Sequence, residues 1–152
     1  MNSSYIHKDD ILRSYLHLLI HETMKSSPAE SFGSYTNASK RVSGLFLELL
    51  ERQFPINAQQ LSLQLKSPAD YAHALSVHIN HLNRSVKETT GKTTSTHIAN
   101  RIAQEAKALL LHTNWNVSDI AYSLGFEYPS YFTNFFKKHT GMSPNQMRSS
   151  TV

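Results

Sequence analysis

No cysteine occurs in these 152 residues, so disulfides and thiolate metal sites are excluded. No apolar run approaches membrane-spanning length, and the first residues carry no apolar signal-type segment. The expected setting is the reducing cytoplasm, with no membrane partner. A Gly-rich phosphate loop, a defensible Ser-His-Asp constellation and a paired acidic motif are also missing, so nothing points to an enzyme. Nine histidines are present, and His78 and His81 lie three apart. No acidic residue is near them in sequence, and metal sites draw also on carboxylate or cysteine partners. The expectation is no metal and no cofactor. Excess charge is modest, a net +4, but it is unevenly placed. Residues 1–60 carry six Lys/Arg against six Asp/Glu, whereas residues 61–152 carry nine against five. A basic surplus confined to one part of a chain fits a surface that meets a polyanion.

What is present is a statement made twice. Asp70-Tyr71-Ala72-His73-Ala74-Leu75 is answered by Asp119-Ile120-Ala121-Tyr122-Ser123-Leu124. Leu82-Asn83-Arg84 and Lys87 through Thr90-Gly91 are answered by Phe132-Thr133-Asn134 and Lys137 through Thr140-Gly141. The offset grows from 49 to 50 between the two blocks, so one residue enters the connecting turn of the second copy. Each copy reads as two short helices joined by a tight turn, the arrangement that places a second helix in the major groove. Local signals agree: Ser67 is a good N-cap, Pro68 suits the first helical position and Asp70 the first turn. Asn116 and Asp119 repeat the cap, and Ser143-Pro144-Asn145-Gln146 is a capping box opening a last helix. Between the copies a linker helix is expected over residues 96–112, with Ile98, Ile102, Ala106, Leu109 and Leu110 on one face. Gly125 suits a positive φ in the turn, and Gly91 and Gly141 suit helix C-caps.

The front third reads differently. Residues 9–25 form an amphipathic pattern through Ile11, Leu12, Tyr15, Leu18 and Leu19, stopped by Ser26-Ser27-Pro28. Residues 28–37 read as a loop. A second helix is expected over residues 38–53, with Val42, Leu45, Phe46, Leu49 and Leu50 as its stripe, ending at Phe54-Pro55. Residues 56–66 are ambiguous, since Leu61, Leu63 and Leu65 alternate like a strand inside a helical chain. A wide stripe over residues 9–53 is either internal core or the seam of a homodimer.

The run Asp119-Ile120-Ala121, Leu124-Gly125-Phe126, Ser130-Tyr131-Phe132, Phe136-Lys137-Lys138, Thr140-Gly141, Ser143-Pro144 and Arg148 resembles the signature of AraC/XylS-type bacterial transcription regulators. The resemblance covers about Ser62 to Arg148. It implies an all-α fold of seven helices: two helix-turn-helix subdomains, residues 67–91 and 116–141, bridged by the linker helix. It also implies a DNA-binding domain over residues 61–152, preceded by a helical connector over residues 1–60. The sensory domain common in such proteins is not expected within these residues, which are either a fragment beginning at the connector or a naturally short version. The implied activity is sequence-specific binding of double-stranded DNA at the nucleoid, with RNA polymerase as a partner and activation the commonest outcome.

On the first recognition helix, expected over residues 79–89, Leu82 and Val86 face the core against Ala72 and Leu75. The opposite face presents Asn80, Asn83 and Arg84, which match the base-touching positions of the family. Arg forks onto guanine O6 and N7, and Asn pairs with adenine N6 and N7. Lys87 is placed for phosphate, and His81 for phosphate or base. In the second copy Phe132, Phe135 and Phe136 are mainly core, and Ser130, Tyr131, Thr133 and Asn134 are outward. Many relatives carry arginine where Asn134 stands, which implies looser reading here. Lys137 and Lys138 supply phosphate attraction, which positions without specifying sequence. Tyr131 serves either a sugar or thymine-methyl contact or packing. The competing reading is a helical protein-interaction module that does not bind DNA.

Overall fold

The computed structural model describes residues 34–56 and 62–150. The chain divides into two units, Met1–Ser34 and Tyr35–Val152, and the helices below belong to the second, with Ser34 opening the first of them. The helix expected over residues 9–25 lies outside the described residues. The described residues form seven helices: α1 (Ser34–Glu51), α2 (Pro68–Ala74), α3 (Ile79–Thr90), α4 (Thr94–His112), α5 (Val117–Ser123), α6 (Pro129–Thr140) and α7 (Pro144–Ser149). Among the described residues there is no strand. Of the alternating leucines, Leu63 and Leu65 are among the described residues and neither is in a strand. Leu63 is buried, and its N–H donates to the Ser123 carbonyl at the end of α5 (2.9 Å).

Caps set most boundaries. The Ser67 hydroxyl accepts from the Asp70 N–H, and the Asp70 carboxylate accepts from the N–H groups of Lys66 (2.9 Å) and Ser67 (2.8 Å). Those two backbone donors, Lys66 first, hold the Asp70 carboxyl below its ordinary range. Asn116 caps α5 by accepting from the Asp119 N–H (2.8 Å). Two expected boundaries are corrected. α1 begins at Ser34, inside the stretch read as loop, because polar cap-forming residues look non-helical in isolation yet extend a helix anchored by packing further along. The linker helix begins at Thr94 rather than residue 96. Its β-branched threonines lower helix propensity, but the Thr93 hydroxyl caps the helix by accepting from the Thr96 N–H (3.2 Å).

The duplication is structural and runs further than the sequence repeat suggested. The α2–α3 turn occupies residues 75–78 and the α5–α6 turn residues 124–128, so the second holds the extra residue. Ser76 (φ 54°) and Gly125 (φ 81°) take the same left-handed place. The Val77 N–H returns to the Ala72 carbonyl (3.0 Å), and the Phe126 N–H to Ala121 (2.9 Å). At Gly125 a Cβ would also fall on the Lys66 side chain. After each recognition helix a threonine makes the same pair of bonds. Thr90 donates to Val86 and caps toward Lys92 (2.7 and 3.2 Å), and Thr140 does so to Phe136 and Met142 (2.8 and 3.1 Å). Thr93 then caps α4 as Ser143 caps α7.

One core joins these parts. Ile98, Ile102, Ala106, Leu109 and Leu110 of α4 lie buried between Tyr71, Leu82 and Val86 of the first copy and Ile120, Leu124, Phe132 and Phe136 of the second. The stripe of α1 is also internal at Phe46 and Leu50, and Phe46 meets the Tyr71 ring edge-on at 5.1 Å. Behind it Gln53 is a buried polar hub. Its amide nitrogen donates to the Leu65 carbonyl (3.1 Å) and the Tyr71 hydroxyl (2.6 Å), and its oxygen accepts from the N–H groups of Gln64 (3.1 Å) and Leu65 (2.7 Å). Burial pushes the Tyr71 phenol pKa well up. Arg101 of α4 lies over the Phe54 ring at 3.9 Å and pairs with Glu51 (2.9 Å) and Glu105 (3.1 Å). The buried Glu105 carboxylate also accepts from the Ile56 N–H (2.7 Å). At the other end Arg148 donates to the carbonyls of Trp115 (2.5 Å) and Leu110 (3.4 Å), tying α7 to the exit of α4.

Candidate nucleic-acid interface

α3 separates its faces cleanly. Leu82, Ser85 and Val86 are buried, whereas Asn80, His81, Asn83, Arg84 and Lys87 are exposed. His78 is the N-cap, its Nδ1 accepting from the Asn80 N–H (3.2 Å), which leaves the Asn80 side chain outside the capping. Arg84 Nε donates to Glu88 Oε1 (2.7 Å). This bond and the attendant charge attraction raise the Arg84 pKa and, led by the same bond, lower that of Glu88. Lys87 stands exposed in the last turn.

α6 buries Phe132 and Phe136, while Phe135 is half-buried against Phe126 (5.1 Å between ring centres) and His139 (4.5 Å). Ser130, Tyr131, Asn134, Lys137 and Lys138 are exposed. Thr133, expected to point outward, is half-buried, and its hydroxyl donates to the Pro129 carbonyl (3.0 Å). A threonine in mid-helix bonds back one turn when no better acceptor is offered. The last turn carries Lys137, Lys138 and His139, denser positive charge than α3 has.

Two features escaped the sequence reading. Glu88 pairs with Arg84 at i,i+4, a spacing that is itself a signal. Tyr122 and Tyr128 are about half exposed, as is Tyr131, and Tyr128 packs edge-on to Tyr131 at 5.4 Å. In the register of the repeat these three tyrosines stand where His73, His78 and His81 stand in the first copy, so aligning the copies residue by residue would have exposed the pattern. The two recognition faces therefore differ: one is polar with an arginine, the other aromatic with a lysine pair.

The 19-residue α4 is about 28 Å long at 1.5 Å per residue, of the order of the 34 Å between like faces of successive turns of DNA. Among the described residues no group of three His, Cys, Asp or Glu is arranged to hold a metal ion, and no helix is long and apolar enough to cross a membrane. Two helix-turn-helix units on one core, each with an exposed polar second helix, define a double helix-turn-helix DNA-binding domain.

Comparison with known proteins agrees. Residues 71–150 match the helix-turn-helix domain family. The chain is 33% identical over 87 residues to YobQ, an uncharacterized HTH-type transcriptional regulator of Bacillus subtilis. It is 35% identical over 86 residues to AdaA of the same organism, a bifunctional transcriptional activator/DNA repair enzyme. Each match takes in 57% of this chain, but only 35% and 39% of the length of those relatives. Among solved structures, the C-terminal domain of AraT, a response regulator from Geobacillus stearothermophilus, superposes with a TM-score of 0.61. That match has 27% identity and covers 72% of this chain and 84% of that one. The chain belongs to the helix-turn-helix domain family, and its DNA-binding domain is of the AraC/XylS type.

Proposed function

We propose that α3 and α6 enter two successive major-groove segments on one face of double-stranded DNA, as the reading part of a transcription activator that contacts RNA polymerase. The observation that carries this is the structural duplication of two recognition helices on one shared core, joined by a helix of suitable length. The chain acts without catalysis of its own, in the cytoplasm at the nucleoid. Asn80, Asn83 and Arg84 read base edges, with His81 beside them. Ser130, Tyr131, Thr133 and Asn134 make the looser contacts of the second site, and Lys87, Lys137 and Lys138 hold phosphates. Residues 1–60 lead into the domain over residues 61–152 as its connector, with α1 packed into the shared core. Pairing of two copies is assigned to residues 9–53, of which Phe46 and Leu50 of α1 already lie in the core. The test is hydroxyl-radical footprinting on duplexes selected from a random pool. Two clusters of protection about 10 base pairs apart on one face are expected, and one compact cluster would overturn the two-site reading.

Arg84→Ala and Lys137→Ala should fail in different ways. The first is expected to cost roughly 1–3 kcal/mol of specific binding and to relax preference at one base pair. The second should weaken all sequences alike and reduce the salt slope by about one unit, as one fewer phosphate is neutralised. Binding titrations at several salt concentrations, on the selected duplex and on a scrambled one, separate the two. An unchanged ranking of sites for Arg84→Ala would mean that the base-reading face has been misassigned.

A further inference from the structure

We infer that Glu88 is a positioning residue for Arg84, and that Ser39 of α1 holds Glu88 in that role. The inference rests on the DNA-reading assignment of α3 above. Arg84 Nε donates to Glu88 Oε1 at 2.7 Å, so this bond takes the Nε edge of the guanidinium and none of its two Nη nitrogens. The Nη pair is the fork that matches guanine O6 and N7. The other carboxylate oxygen, Oε2, accepts from the Ser39 hydroxyl (3.3 Å), and Ser39 lies beside the buried Ser85 of α3 (3.5 Å between hydroxyls). The carboxylate is therefore gripped from two helices, and the arginine is gripped by the carboxylate.

Energetics indicate what such a contact contributes. The Arg84 and Glu88 side chains are 77% and 48% exposed, and a pair so exposed adds little to folding stability. A carboxylate on the face that meets DNA also opposes a polyanion. What the pair supplies is geometry: a long side chain with its rotamers restricted before binding loses less entropy when it docks. The second copy provides an internal contrast. At the places of Arg84 and Glu88 it carries Asn134 and Lys138, so the arginine and its carboxylate are present together in one copy and absent together from the other. The buried small Ser85, where the second copy has Phe135, is what lets α1 approach closely enough for Ser39 to reach Glu88. Through this chain of contacts α1 is coupled to the base-reading side chain.

The test uses the full chain and duplexes selected by it from a random pool, with all four base pairs then compared at each position. Arg84→Ala identifies the position that Arg84 reads. Glu88→Ala is expected to lower discrimination at that same position by about 3- to 10-fold, a part of the 1–3 kcal/mol attached to a bidentate contact. It should at the same time strengthen binding to scrambled duplex, because a negative charge is removed. Glu88→Gln, which keeps an acceptor oxygen, should restore part of the discrimination, and Ser39→Ala should lose a smaller part. Circular dichroism melts should show all four variants folded, since Arg84 and Glu88 are exposed and the half-buried Ser39 loses only a hydroxyl. If Arg84→Ala flattens one position and Glu88→Ala leaves that position sharp, the positioning role is overturned while the DNA-reading assignment stands. If Arg84→Ala flattens no position, the assignment of Arg84 itself falls, and this inference with it.

Discussion

Phe46→Ala is expected to lower the free energy of unfolding by about 3–5 kcal/mol, the range for removing a fully buried phenylalanine. Phe46 has no exposed surface and packs on Tyr71, which in turn is bonded to Gln53 and packed within the first helix-turn-helix. The loss should therefore fall on α2 and α3 as well as on α1. Leu45→Ala, one residue away and half exposed, should stay within roughly 0.5 kcal/mol. Urea denaturation of the two variants makes the comparison. A truncation starting at Ala58 cuts deeper than a mere connector over residues 1–60 would imply. It removes Phe46, Leu50, Gln53 and Ile56 from the buried set, and a cooperative unfolding transition is not expected to survive it. Equal and small losses for Phe46→Ala and Leu45→Ala would show that α1 does not contribute to the domain core.

Glu105→Ala should cost about 3 kcal/mol, the low end for breaking a buried ion pair. Two groups lose their acceptor: the guanidinium of Arg101 and the backbone N–H of Ile56. A buried donor left without an acceptor is the expensive part of such a change. Arg101 keeps Glu51 and its place over Phe54, which limits the damage on that side. The double variant Arg101→Ala/Glu105→Ala is accordingly expected to be less destabilised than the sum of the single ones. Strict additivity, or a loss below 1 kcal/mol for Glu105→Ala alone, would mean that this network does not hold the exit of α1 to α4.

Much of the fold was legible because its signals are local. A cap such as Ser67 with Asp70, or a glycine at a helix end such as Gly141, acts within four residues, so its consequence is visible without knowing the rest of the molecule. The same holds for the extra residue in the second turn, which appears directly as a change in offset. Helix starts rich in serine and threonine were harder. Ser34 to Asn37 and Thr94 are helical because they extend helices anchored by Phe46 and Ile98, and weak propensity does not reveal that anchoring. The candidate interface was legible by facing: once Leu82 and Val86 are inward, Asn80, Asn83 and Arg84 lie on the exposed side. Thr133 was the exception, since its hydroxyl found an acceptor one turn back in its own helix.

The chain by itself determined the repeat, the caps, the polar outer faces of α3 and α6, and the absence of thiolate chemistry, because each depends on residue identity and short-range spacing. Only the tertiary structure decided that α1 belongs to the core of the first helix-turn-helix. The same apolar stripe satisfies an internal partner or a second copy equally well, and hydrophobic burial carries no record of which surface covers it. It also decided that Glu105 lies buried against Ile56, and that Ser39 meets Glu88 across 49 positions of sequence. Contacts between residues that far apart arise from how helices pack, and no local pattern encodes them.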